Sequence, residues 1–305
     1  MHWLYIALLA PALSAFGNYT DKYLVSSGTK GSGIDGIILF SCFFGIVVIP
    51  LALLFDREAY ILPVFDALLL MANGALAILA LVAYLYAIKD GDVVSVVPVL
   101  QSIPVFGFLL GYTILGETLS NLQLVGSGVI LSGALLLSLE ISEEGVYRVR
   151  KKNLFLALLS SFFYALSGVV FKFVAIDQGY WAAQFWEYVG MGVLGLILLF
   201  VFSRYRRILY SLMKLGKFRF VGLNLASESS MVASDLLLNY ATLLAPIALV
   251  YTVNSFQPAF LLVYGALGLI FFPRIMKQLS HSSKGLWLKM LTICIMIGGA
   301  ILLYL

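Results

Sequence analysis

Residues 84–117 read YLYAIKDGDVVSVVPVLQSIPVFGFLLGYTILGE. Two apolar runs meet at a short polar break, Lys89-Asp90-Gly91-Asp92. The second run carries Pro98 and Pro104 around Gln101 and ends in Gly116-Glu117. A proline inside an apolar helix removes a backbone donor and frees a carbonyl. In lipid such a break is tolerated only where protein or a cavity covers the freed group. The stretch therefore predicts an inward-facing, interrupted membrane helix beside a binding site, with Pro98 and Pro104 as helix-break or gating residues. The run around Pro258 is its counterpart.

Working outward, the 305-residue chain is 62% hydrophobic and 11% charged, with mean hydropathy +1.03. Soluble domains carry about 25% charged residues, so the chain reads as an all-α integral membrane protein. Spans of about 20 apolar residues are expected at ten places: 4–25, 36–55, 65–88, 93–115, 119–139, 154–176, 181–202, 220–243, 248–272 and 286–303. The first residues, MHWLYIALLAPALSA, imitate a signal peptide without its basic start and are expected to stay as a helix. No connection is long enough for a folded soluble domain. Of the 19 Lys and Arg, all but Arg57 and Lys172 border odd-numbered connections. Basic loops stay cytoplasmic, which predicts both termini outside, in the plasma (inner) membrane. Cys42 and Cys294 lie in apolar runs and read as packing residues.

The halves repeat each other. Ala15-Phe16-Gly17 with Lys22 aligns with Ala165-Leu166-Ser167 with Lys172, an offset of 150 residues. Tyr86-Ala87, Pro104, Phe106 and Gly111 align with Tyr240-Ala241, Pro258, Phe260 and Gly265, an offset of 154. Five spans per half is odd, so the halves would cross the membrane in opposite directions. Inverted repeats with interrupted helices at equivalent places are a transporter pattern. The expected organisation is one five-helix repeat over 1–140, a basic linker over 141–153 and a second repeat over 154–305, around a central cavity.

On these residues the chain resembles the drug/metabolite transporter superfamily in its ten-span EamA-like branch. The resemblance rests on the Pro-centred fourth span, Gly116-Glu117 after it, the Gly-rich LQLVGSGVILSGALLL over residues 122–137, and the lysines Lys22 and Lys172. It implies transport by alternating access, with substrates ranging from amino acids and drugs to nucleotide sugars and lipid-linked sugars. The second half departs from the pattern, with Phe271-Phe272-Pro273-Arg274 where Gly-Glu would stand.

Candidate functional residues follow from the expense of polar groups in lipid. Glu228 and Asp235 in NLASESSMVASDLLLNYA are two helical turns apart and share a face, extended by Asn224 and Asn239. That face must point inward, where Glu228, with Asp235 beside it, would exchange protons or bind a cationic group; a structural knot or an ion pair with Lys172 is the alternative. Lys172 would meet an anionic substrate, snorkel or pair. Glu187 in YWAAQFWEYVGMG would sit in an aromatic cage for an organic cation or in an interfacial aromatic belt. Gln101, Asn254 and Gln257 flank the repeat-related prolines and suit a polar substrate, or interhelical bonding. Asn18 and Asn73 are similar. Glu117 is expected to cap the following helix. Gly126, Gly128 and Gly133 allow close contact, either within the chain or at a homodimer face.

The two histidines, His2 and His281, offer no metal cluster, and no phosphate-binding loop occurs. No cofactor, nucleic-acid partner or enzymatic activity is expected; the expected partners are a small-molecule substrate and the bilayer. The reading is a secondary-active exporter of a small polar or amphiphilic metabolite, with proton coupling. The alternative is a lipid or lipid-linked-sugar flippase on the same fold, which a lateral opening flanked by Lys172 would favour.

Overall fold

The computed structural model describes residues 2–26, 33–89, 99–140, 151–214, 218–271 and 286–303. Among these residues the regular structure is helical, with no strand. Lipid offers no partner for a free N–H or C=O, so apolar runs of this length close their own hydrogen bonds as helices. The helices are α1 His2–Ser26, α2 Gly33–Phe43, α3 Gly45–Phe55, α4 Val64–Lys89, α5 Ile103–Leu110, α6 Asn121–Glu140, α7 Lys151–Gln178, α8 Tyr180–Val201, α9 Ser203–Lys214, α10 Phe218–Leu244, α11 Ile247–Asn254, α12 Gln257–Phe271 and α13 Leu286–Leu302. Among the described residues, five apolar segments are long enough to cross a bilayer: Ile34–Phe55, Val64–Ala87, Lys151–Gln178, Tyr180–Val201 and Ile247–Gly265. Four more are apolar and shorter: Trp3–Asn18, Ile103–Leu115, Asn121–Leu136 and Met290–Leu302. The protein is an integral, multi-pass membrane protein.

The proline breaks take a definite form. Gln101-Ser102 is a turn, and Pro104 lies in the first turn of α5. Ser255-Phe256 is a turn, and Pro258 follows at the start of α12. Proline lacks a donor that the first turn of a helix does not need, so both prolines begin helices instead of kinking them. The two turns are 154 residues apart, the same offset at which Pro104 and Pro258 align. Pro98 lies outside the described residues.

Packing pairs distant parts of the chain. α1 runs along α10, α4 crosses α7 and α8, α5 lies on α7, α11 and α12 lie on α1, and α6 pairs with α13. Serines on α10 fasten it to α1: Ser227, Ser230 and Ser234 donate to the carbonyls of Gly17, Leu13 and Ala10 at 3.1, 2.7 and 2.7 Å. Ser160 of α7 likewise donates to Ala80 of α4 at 2.9 Å. Such bonds hold helices together where no hydrophobic drive separates helix from lipid. Gly126 of α6 fits against the Gly299 carbonyl and Leu302 of α13, and Gly133 against Met296. These two glycines therefore serve packing within the chain, while Gly128 faces open space.

The stretch after α8, expected as a basic loop, is the helix α9. Arg206 donates to the carbonyls of Leu199 and Phe200 at 2.8 and 2.6 Å, closing the C-terminal end of α8. Arg204 pairs with buried Asp35 of α2. Exposed Arg204, Arg206 and Arg207 with buried Ile208 give α9 the charged and apolar sides of an interfacial helix. The α7 helix starts at Lys151, inside the stretch read as linker.

Candidate functional site

Polar groups gather at three places inside the bundle. The first joins both halves of the sequence. A five-residue π-helical turn, Gly111–Leu115, ends at Gly116, whose φ of 67° is a left-handed conformation that glycine adopts without strain. That reversal sends Glu117 back over the turn, where its N–H donates to the Gly111 carbonyl at 3.1 Å. One carboxylate oxygen of Glu117 meets Lys172 Nζ of α7 at 2.5 Å. The other accepts the Ile247 N–H at 2.8 Å, at the N-terminus of α11. Lys172 Nζ also donates to the Ala245 carbonyl at 2.8 Å, at the end of α10. A negative group on a helix N-terminus and a positive group near a helix C-terminus both complement the helix dipoles. A pocket of about 310 Å³ is lined by Trp3, Gln123, Pro246, Leu249 and Ala245, the residue whose carbonyl Lys172 holds.

This geometry corrects the expectation for Glu117 and, among the readings of Lys172, gives it an ion-pair partner. Glu117 caps α11, not the following α6. The α6 start is already satisfied by a reciprocal capping box: Ser120 N–H donates to Gln123 Oε1 at 2.9 Å, and Gln123 N–H to Ser120 Oγ at 3.2 Å. Lys172 is buried with Glu117 as its ion-pair partner, so it neither snorkels nor neutralises Glu228.

The second place is the α10 stripe. Glu228 is buried and accepts from Ser41 Oγ of α2 at 2.8 Å. Asp235, half-buried, accepts from Tyr164 OH of α7 at 3.1 Å. The stripe faces neighbouring helices, as its composition requires. Asn224 is buried and Asn239 half-buried on the same helix.

The third place is Glu187, which is 4% exposed and so not in an interfacial belt. It accepts from Asn73 Nδ2 of α4 at 2.9 Å. Glycines set this approach: a Cβ on Gly74 would strike the Glu187 carbonyl oxygen, and one on Gly190 would strike the backbone of Met71. Small residues let two helix backbones touch, and that contact presses Asn73 onto Glu187. Glu187 and Asp235 are near enough for their charges to interact. Tyrosines fill the space around them. Tyr251 packs on Tyr164 with ring centroids 5.8 Å apart, and Tyr180 lies edge-on to Tyr240 at 5.4 Å. Tyr251 fits only because Gly107 and Gly168 have no side chains to meet its ring and hydroxyl.

Gln101 is buried in the first break, while Asn254 and Gln257 are half-buried at the second. The breaks place them near α7 and α1, outside the direct bonds of Glu187 and Asp235. The side chain of Lys22 and all of His281 lie outside the described residues. Sequence reasoning weighed Asn73 only lightly and did not single out Ser41 or Tyr164. The available signal was Asn73-Gly74 on one helix and Glu187 with Gly190 on another, a polar residue next to a glycine in each.

Residues 2–139 match the EamA-like transporter family, part of the drug/metabolite transporter superfamily. No curated protein matches the chain. A solved structure described only as a crystal structure of a protein is similar in fold, with TM-score 0.64 and 13% identity over 97% of this chain and 94% of its own.

Proposed function

We propose that the protein is a secondary-active exporter of a small polar or amphiphilic metabolite, working by alternating access with proton exchange. In this reading ten spans form two inverted five-helix repeats, residues 1–140 and 154–305, joined by the basic stretch 141–153 around a central cavity. Basic connections face the cytoplasm and both termini lie outside a plasma (inner) membrane. The observation that carries the reading is the pairing of helices. Exchanging the halves turns α1 on α10 into α7 on α4, and α5 on α7 into α11 and α12 on α1; α6 with α13 and α3 with α8 map onto themselves. Two repeats related by a two-fold axis would make such contacts, and rocking one against the other would alternate access. The Glu117–Lys172 link then acts as an outer-face latch between the halves. Its two partners consume each other, so Lys172 gives the flippase alternative no support.

The test is a thermal-shift screen of the full chain in detergent, with amino acids, organic cations, nucleotide sugars and polyprenyl phosphates at mildly acidic and near-neutral pH. A ligand at 100 times its Kd stabilises the folded state by about 2.7 kcal/mol. A small metabolite that shifts melting, and is then driven across proteoliposomes by a pH gradient, supports the exporter. A response to polyprenyl phosphates alone replaces it with the flippase.

A further inference from the structure

The Asn73–Glu187 contact is incomplete in an informative way. Asn73 Nδ2 donates to Glu187 Oε1. The remaining oxygens, Asn73 Oδ1 and Glu187 Oε2, are buried and have no hydrogen-bond partner among the described residues. Both residues are more than nine-tenths buried, at 2% and 4% exposure. Two buried acceptors on an already bonded pair are short of one hydrogen. A primary amide and a carboxylic acid supply it themselves: the amide N–H bonds one carboxyl oxygen, and the carboxyl O–H bonds the amide oxygen. The first of those bonds is present, and the second joins the two orphaned atoms.

The surroundings favour the same answer. Among the described residues, the groups that exchange electrostatic influence with Glu187 are Asp235 on α10, Tyr164 on α7, Tyr180 and Tyr188 on α8, and Tyr251 on α11. None is a cation. Lys172, the buried lysine of α7, is held by Glu117. An isolated ionised carboxylate out of water is costly enough that the group neutralises instead. The backbone contact at Gly74 and Gly190 holds α4 and α8 together where the pair forms.

We propose that Asn73 and Glu187 form a one-proton site inside the membrane, an acid–amide pair with the proton on Glu187 Oε2, and that this proton is the one exchanged during transport. The coupling half rests on the exporter reading; the protonation half does not. Opening of the α4–α8 contact would hydrate Glu187 and release its proton, and closure would take one up. Glu228, the sequence's first candidate for this role, accepts from Ser41 and is not required to titrate.

The test uses Glu187→Gln, because glutamine places an N–H where the acid places its O–H and keeps both bonds. The full chain is purified in detergent and compared with wild type by infrared difference spectroscopy at neutral pH. The expected result is a protonated-carboxyl stretching band in wild type that is missing from Glu187→Gln, with unchanged melting. Spectra that superimpose in that region overturn the site, as does a variant that fails to fold while Glu187→Ala folds. In proteoliposomes loaded with the metabolite identified by thermal shift, Glu187→Gln should exchange substrate and lose its response to an imposed pH gradient. A variant that keeps the response overturns the coupling role and leaves the proton site standing. A wild type that shows the band and transports no tested metabolite counts against the exporter reading and leaves the site intact.

Discussion

Lys172→Met removes one half of the link between Glu117, α7, α10 and α11. The side chains of Lys172 and Glu117 are 8% and 14% exposed, so solvent screening, which reduces surface pairs to 1 kcal/mol or less, does not apply. Breaking a buried pair by deleting one partner costs about 3–5 kcal/mol, because the other charge stays buried. Here Glu117 keeps the Ile247 N–H, and the Ala245 carbonyl loses its lysine donor. The expected destabilisation is therefore at the lower end, about 3 kcal/mol, more than a hundredfold in the folding equilibrium. Glu117→Gln retains an acceptor for Ile247 and loses the charge, leaving Lys172 unneutralised. The double variant has no uncompensated charge and should recover part of the loss, with a coupling energy of about 1–3 kcal/mol. Reversible denaturant unfolding of the four proteins in detergent completes the cycle. Additive losses, with coupling below about 0.5 kcal/mol, would refute the paired latch. An outer latch also requires both single variants to raise labelling of cysteines introduced at the pocket lined by Trp3 and Leu249; unchanged labelling would leave a structural strut only.

Gly74→Ala and Gly190→Ala each force a methyl into a backbone contact, so each should lose at least about 1–3 kcal/mol as overpacking does, measured by the same unfolding assay. Melting equal to wild type would mean that α4 and α8 are farther apart. Gly116→Ala asks a non-glycine residue to hold a φ of 67°; a loss of about 1–2 kcal/mol is expected, and wild-type stability would indicate that the turn is made differently. Tyr164→Phe deletes the donor to Asp235 and should cost about 1–3 kcal/mol, the range for leaving a buried acceptor unmet. If the loss persists in an Asp235→Asn background, the tyrosine acts through packing and not through the bond.

The membrane class, the helical character and the inward stripe on α10 are legible in the sequence because they follow from length, apolarity and spacing. Glu228 and Asp235 must share a face whatever surrounds them, and the faces they meet are indeed protein. The proline positions are legible too, but their effect is not. Pro104 and Pro258 can kink a helix or begin one, and only the preceding turns at Gln101 and Ser255 decide. Partners are the least legible. Glu117 lies 55 residues from Lys172 and 130 from Ile247, and nothing local announces either. The local rule that a carboxylate caps the next helix fails at Glu117 because Ser120 and Gln123 fill that role. The basic run after α8 reads as a loop because its charges hide Ile208, which is buried once α9 forms.

Where the chain spends its polar groups separates holding from moving. The serines of α10 bond the carbonyls of α1 and complete groups that a helix already carries, so they can be neutral glue at every stage. The Glu117–Lys172 pair is also self-sufficient: its charges cancel and its remaining atoms find backbone partners at Ala245 and Ile247. Glu187 differs. It has one amide bond, one unmet oxygen, a neighbouring carboxylate in Asp235 and a ring of tyrosines that donate elsewhere, as Tyr180 does to the Leu236 carbonyl at 2.8 Å. A group left one hydrogen short in a medium that penalises such a shortage is stable only with a proton in place. Any conformation that brings water to it removes the penalty and frees the proton. Under the proposed coupling, changing access and releasing a proton are the same event at Glu187, and neither the serine ladder nor the proposed latch has that property.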